Sequence, residues 1–98
     1  MDGIYGININ TPMGNMQGKV YLKTNGDNIS GVLEIMGMKN NLTGGKVKNN
    51  QCYFKGSLKN NALNIQYEIM GELVNGKTLN IYAKTNMGEF KLQGNKIG

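Results

Sequence analysis

Histidine, arginine and tryptophan are absent from this chain, and cysteine and proline occur once each. Each gap removes a class of function. Without histidine, neither a Ser-His-Asp nor a Cys-His arrangement can be assembled within one chain, and a zinc site of the usual type lacks its ligands. A lone cysteine, Cys52, cannot form an internal disulfide, which excludes a disulfide-stapled secreted scaffold. Without arginine, the planar fork that reads phosphates and guanine edges is missing. No apolar run approaches the length of a membrane-spanning helix. No basic-then-apolar leader opens the sequence, and Met1-Asp2-Gly3 passes directly into patterned residues, so the expectation is a cytoplasmic protein without a membrane partner.

What remains is plentiful lysine, asparagine and glycine. All eleven basic residues are lysine against six acids, giving a net charge of +5. Only 17% of residues are charged, and the lysines scatter rather than cluster. Such a charge draws polyanions without regard to sequence and in a salt-sensitive way. It does not specify a nucleic-acid partner. Ninety-eight residues make a single domain, 1–98, with one modest core.

Helical periodicity is missing and alternation of period two runs almost throughout. In "ALNIQYEIMGELV" (62–74), Leu63, Ile65, Tyr67, Ile69, Gly71 and Leu73 share one face, and Asn64, Gln66, Glu68, Met70 and Glu72 the other. That is a strand with a dry side and a wet side. Asn75-Gly76 then signals a hairpin. Folding about it sets Leu73 against Leu79 and Ile69 against Ala83 inside, with Met70 against Tyr82 and Glu68 against Lys84 outside. These are favourable cross-strand pairs.

The same test predicts turns at Gly26-Asp27, Asn49-Asn50, Asn60-Asn61 and Met87-Gly88. The pairs expected are Val20 with Leu33, Thr24 with Ile29, Lys19 with Glu34, Tyr21 with Val32, and Val47 with Cys52. Leu58 is expected opposite Leu63, Phe54 opposite Tyr67, Thr85 opposite Phe90, and Ala83 opposite Leu92. A loop carrying Pro12 sets Ile9 against Met16 and Tyr5 against Val20. Residues 39–48 break parity between Leu42 and Val47, and a bulge at Gly44-Gly45 would reset the face.

The result is an all-β chain, an eight-stranded antiparallel up-and-down meander closed into a small barrel. An open coiled sheet or a two-layer sandwich is the competing arrangement. Segments 29–47 and 79–97 align as a weak repeat with one gapped residue, a similarity that regular hairpins could also produce.

Met-Gly recurs at Met13-Gly14, Met36-Gly37, Met70-Gly71 and Met87-Gly88. In a meander the first, third, fifth and seventh loops share one end, which is thereby rimmed with methionine. The other end carries Asn/Gly turns. The methionines either plug a filled core or ring the mouth of an apolar cavity. In the second case Met13, Met36, Met38 and Met87 form the mouth, and Tyr5, Phe54, Tyr67 and Phe90 the interior wall. The expected inward set also holds Ile7, Ile9, Met16, Leu22, Ile35, Leu42, Cys52, Leu58, Leu63, Ile65, Ile81 and Leu92. Buried Tyr5 and Tyr67 each need a hydrogen-bond partner, from the protein or from a ligand's polar head. Outside, Ile4, Tyr21 and Val32 line up across three strands as a candidate dimer interface.

The order of elements resembles the compact calycin-like barrels, the class of lipocalins, fatty-acid-binding proteins and avidins. "INTPMGNMQGKVYLKTNGDNISGVL" and "LVNGKTLNIYAKTNMGEFKLQG" are similar to a group of small bacterial proteins with repeated Thr-Pro-Met-Gly hairpins. The last copy has Asn86 in place of proline. The resemblance implies a barrel with an interior able to take a ligand, in a chain far shorter than a lipocalin. The reading is therefore a non-enzymatic barrel without cofactor, binding a small apolar or amphipathic ligand at its methionine-rimmed end. The alternative is a homo-oligomeric module with a filled core.

Overall fold

Period-two patterning becomes eight strands in the computed structural model, which describes residues 1–11, 14–35, 37–60 and 63–98. They are β1 (Gly3–Thr11), β2 (Gly14–Asn25), β3 (Asn28–Ile35), β4 (Met38–Lys48), β5 (Gln51–Asn60), β6 (Leu63–Val74), β7 (Thr78–Thr85) and β8 (Gly88–Lys96). Each strand pairs antiparallel with the next, and β8 returns to β1, so the meander is a closed barrel.

The register follows the turns. Leu73 faces Leu79, Met70 faces Tyr82 and Glu68 faces Lys84. Val20 faces Leu33 and Lys19 faces Glu34, Val47 faces Cys52, and Ile9 faces Met16. The bulge also falls where parity broke. Between Ile29–Gly45 and Gly31–Leu42, β4 uses one residue more than β3. Gly44 takes up the extra residue at φ 70°, a left-handed conformation that glycine adopts without steric penalty. Leu42 is thereby returned to the core.

Two hairpins differ from expectation, each by two residues, so the faces are kept. Phe54 lies opposite Ile69 and Leu58 opposite Ile65, while Tyr67 lies opposite Gly56. The expected pairing would have forced two rings into one stretch of lumen. Instead the phenol occupies the space a side chain at 56 would need: a Cβ there would sit 2.7 Å from the Tyr67 oxygen. The β5–β6 connection, including Asn61 of the expected turn, lies outside the described residues.

In the last hairpin, Thr85 faces Gly88 and Ala83 faces Phe90. The side chain of Thr85 closes this shorter turn. Its Oγ1 accepts from the Met87 amide at 3.0 Å and donates to the Gly88 carbonyl at 2.9 Å. Asn86 ties the turn to β6, accepting from the Gln66 amide and donating to the Asn64 carbonyl, each at 3.1 Å.

The two ends of the barrel are built differently. At the end carrying the Asn/Gly turns, each turn is fastened to the strand after next. The carbonyl of Asp27 accepts from Val47 N, that of Asn50 from Leu73 N, and that of Lys77 from Lys96 N. Ile4 and Ile97 complete the ring, Ile97 N donating to the Ile4 carbonyl at 2.8 Å. The two shortest ladders also lie toward this end. The β4–β5 ladder runs only from Lys46–Tyr53 to Lys48–Gln51, and the β1–β8 ladder from Tyr5–Lys96 to Asn8–Gln93. The halves β1–β4 and β5–β8 are therefore joined at the amide end.

Burial follows the same gradient. Tyr5, Ile29, Phe54 and Leu79 are at most 2% exposed and pack toward the amide end. Inward residues nearer the methionine end, Ile9, Leu33, Ile35, Ile65 and Leu92, are only partly buried.

Candidate functional site: an apolar lumen

The inward faces enclose a cavity of about 170 Å³ whose exposed wall is apolar. Leu22, Leu42, Cys52, Phe54 and Leu79 form its deep part, Tyr67, Ile69 and Ile81 its flank, and Leu33, Ile65 and Thr85 its upper part. The deep residues are buried and the upper ones half-buried, so access is from the methionine end. Space arises where glycine replaces a side chain. A Cβ on Gly71 would come within 2.8 Å of Cys52 Sγ. Gly45 lets β4 lie against the Phe54 ring, since a Cβ there would stand 2.5 Å from Cε1.

The residues expected to make a ligand site separate into groups. Phe54 and Tyr67 line the cavity. Tyr5 does not: fully buried, it seals the amide end and donates from its phenol to the Met1 carbonyl at 2.9 Å. Its hydrogen bond is thus satisfied by the chain itself, and burial, with the charges of Asp2 and Cys52 adding, raises its pKa. Phe90 is not part of the wall but 47% exposed, although the shorter final hairpin sets it opposite Ala83, two residues farther from the turn than expected. Met38 and Met87 are more than 60% exposed and stand outside the cavity. Met13 and Met36 lie outside the described residues, as do the side chains of Leu58 and Leu63.

Two wall groups have polar tips. The Cys52 thiol is free, and burial raises its pKa against the opposing effect of a hydrogen bond from the Gly71 backbone. The Tyr67 phenol is likewise pushed up by burial. Among the described residues no buried side-chain N or O lacks a hydrogen-bond partner, and no group of three His, Cys, Asp or Glu converges.

The outer row Ile4–Tyr21–Val32 forms as expected and continues to Asn41. Its three apolar members are half-buried, and the Tyr21 phenol donates to Glu34 at 3.2 Å. Sequence reasoning overlooked a second row, on β5–β7, where Tyr53, Met70 and Tyr82 stand side by side. The signal was present: Tyr53 sits between inward Cys52 and Phe54 and must point out.

No family model matches this chain, and no curated protein or solved structure matches it. No helix of the described residues is long and apolar enough to cross a membrane, a statement that does not extend to strands.

Proposed function

We propose that this protein is a non-enzymatic barrel that holds a small apolar or amphipathic molecule in its lumen, admitted from the methionine end, in the manner of a miniature calycin-like carrier. The observation that carries the reading is the 170 Å³ apolar cavity. An engineered protein cavity of about 150 Å³ with similar walls takes up benzene or xenon. The ligand is therefore the size of one ring or a short alkyl chain, not a lipid tail or a haem. The exposed lysines of the outer face suit a protein that works in water, and we place it in the cytoplasm.

The test is thermal denaturation with benzene, indole or 1-hexanol, beside native mass spectrometry of gently purified protein. The small probes should raise Tm in proportion to the logarithm of their concentration, while palmitate should not. A lumen that takes no xenon in a pressurised crystal, together with no Tm shift from any small probe, would remove the carrier reading.

The second reading, a homo-oligomeric module, is favoured by the continuity of the Ile4–Tyr21–Val32 row with Ile97, which is 59% exposed beside it. Tyr21→Glu should then convert a species of twice the chain mass to monomer in light scattering. A wild-type protein that is already monomeric at high concentration removes this reading.

A further inference from the structure

Alternation that turns Cys52 and Phe54 into the lumen turns Tyr53 outward, and its neighbours across the sheet do the same. The register builds one continuous cross-strand row, Lys46–Tyr53–Met70–Tyr82–Lys91, spanning β4 to β8. This row lies in a groove of about 840 Å³ on the outside of the barrel. Tyr53 and Met70 are more than a third exposed, although each could have been a polar residue at no cost to the core. Adjacent strands are about 4.8 Å apart, so the two tyrosines stand roughly two strand spacings, about 10 Å, from each other with a polarizable thioether between them.

Charge selects the occupant. Lysine closes the row at both ends, and Lys48 adds a third cation to the groove. Glu72 in the groove accepts a hydrogen bond from Gln51 at 3.2 Å, and Glu89, at its edge, accepts one from the Tyr82 phenol and lies opposite Lys84. The Lys46 ammonium donates to Asn28 Oδ1 at 2.7 Å and Lys84 Nζ stands over the Tyr82 ring, 5.9 Å from its centroid. Aromatic rings set among lysines, with amide side chains beside them, suit a strand that is itself flat-faced and polyanionic. A second copy of this chain would bring the same lysines against its own and fits less well.

We propose that this outer groove binds single-stranded nucleic acid without sequence preference, bases stacking on Tyr53 and Tyr82 and phosphates meeting Lys46 and Lys91. Stacking on aromatic side chains tolerates any base, and lysine contacts impose no sequence. The site is separate from the lumen, because the two lie on opposite faces of the same strands, and it does not rest on the carrier reading.

The test uses fluorescence anisotropy with a fluorescein-labelled twelve-residue oligo-dT in low salt, repeated as salt is raised. Binding should weaken linearly on logarithmic axes, with a slope near −0.7 per phosphate neutralised. Tyr53→Ala/Tyr82→Ala should reduce affinity at least about fivefold with the salt slope kept. Lys46→Glu/Lys91→Glu should reduce both affinity and slope. Lys19→Glu/Lys23→Glu, an equal charge change on β2 outside this groove, should have the smaller effect. Circular dichroism confirms that each variant folds. As a readout needing no variant, the methyl resonance of Met70 in ¹³C-methionine-labelled wild-type protein should shift on adding oligonucleotide, while that of Met38 stays. Equal losses from the Lys19/Lys23 and Lys46/Lys91 pairs, an unmoved Met70 methyl, or undiminished binding by the tyrosine variant would each overturn the proposal. So would a Met70 shift that follows protein concentration without oligonucleotide, which would assign the groove to a second copy.

Discussion

Ala83→Leu tests the lumen most directly. Ala83 lies on the cavity wall, opposite Phe90 on one side and Ile69 on the other. An unfilled cavity of 170 Å³ costs about 4 kcal/mol at about 24 cal/mol per Å³ of void. Leucine adds three carbons, worth at most about 2.4 kcal/mol at about 0.8 kcal/mol per buried CH₂. Imperfect fit subtracts at least about 1 kcal/mol, leaving a net gain near 1 kcal/mol. For a domain of this size that corresponds to a rise in Tm of about 4–8 °C. The assay is urea denaturation followed by circular dichroism, then the thermal shift with benzene or indole. The variant should be the more stable protein and should lose most of its response to the probes. A variant destabilised by more than about 2 kcal/mol would mean that the lumen is filled and the leucine overpacks it. An unchanged variant that responds fully to the probes would mean that they bind elsewhere.

Phe54→Ala enlarges the same cavity from below. Removing a ring that is 1% exposed should cost about 3–5 kcal/mol in urea denaturation, and the surviving folded protein should admit bulkier ligands than the wild type. Asp2 accepts hydrogen bonds from the side chain and amide of Thr24, both at 2.6 Å, and these, the side-chain bond first, hold its pKa below the usual carboxylate value. Its contribution to stability is therefore present above the unfolded pKa of about 3.9 and is lost as pH falls through the folded value. A carboxyl-carbon NMR titration of Asp2 should show a midpoint below that reference, and Asp2→Asn should flatten this part of the acid profile. Cys52, buried and with a raised pKa, should alkylate with iodoacetamide far more slowly in the folded protein than in urea. A lumen ligand should slow it further, and a rate equal to that of a free thiol would contradict the burial.

Much of the barrel was legible because its rules are local. Turn residues and alternation fix parity, and parity decides faces. This is why Leu73–Leu79, Val20–Leu33 and the Gly44 bulge fell where the pattern put them. The two misplaced registers show where locality ends. A two-residue slip leaves every side chain on its own face, so alternation alone cannot detect it. What selected the observed register was a volume match between Tyr67 and Gly56 across the sheet, and the Thr85 and Asn86 hydrogen bonds in the last hairpin. The candidate site was less legible for the same reason. That Phe54 and Tyr67 face inward follows from parity. That Tyr5 ends as a plug on the Met1 carbonyl depends on height along the barrel, which parity does not carry, and parity likewise does not foresee that Phe90 stays exposed.

The weak repeat between 29–47 and 79–97 acquires a physical meaning in the outer rows. Ile4–Tyr21–Val32–Asn41 crosses β1–β4 as Tyr53–Met70–Tyr82–Lys91 crosses β5–β8, and each row sits at the corresponding place in its half. The two halves thus set the same backbone problem and answer it with different chemistry. In the first half the row has a single tyrosine between two aliphatic residues, ends in an amide and is met by Ile97 along Ile4. In the second it is aromatic and sulfur-bearing, and lysine stands at either end. A fold requirement would act on both rows alike, since an outward position in either half faces away from the same core. The first row shows that the barrel closes without aromatic residues on both flanks and without terminal lysines. The Tyr-Met-Tyr pattern with its lysines is therefore in excess of what the barrel needs, which is the physical ground for treating that half of the outer surface as a binding face.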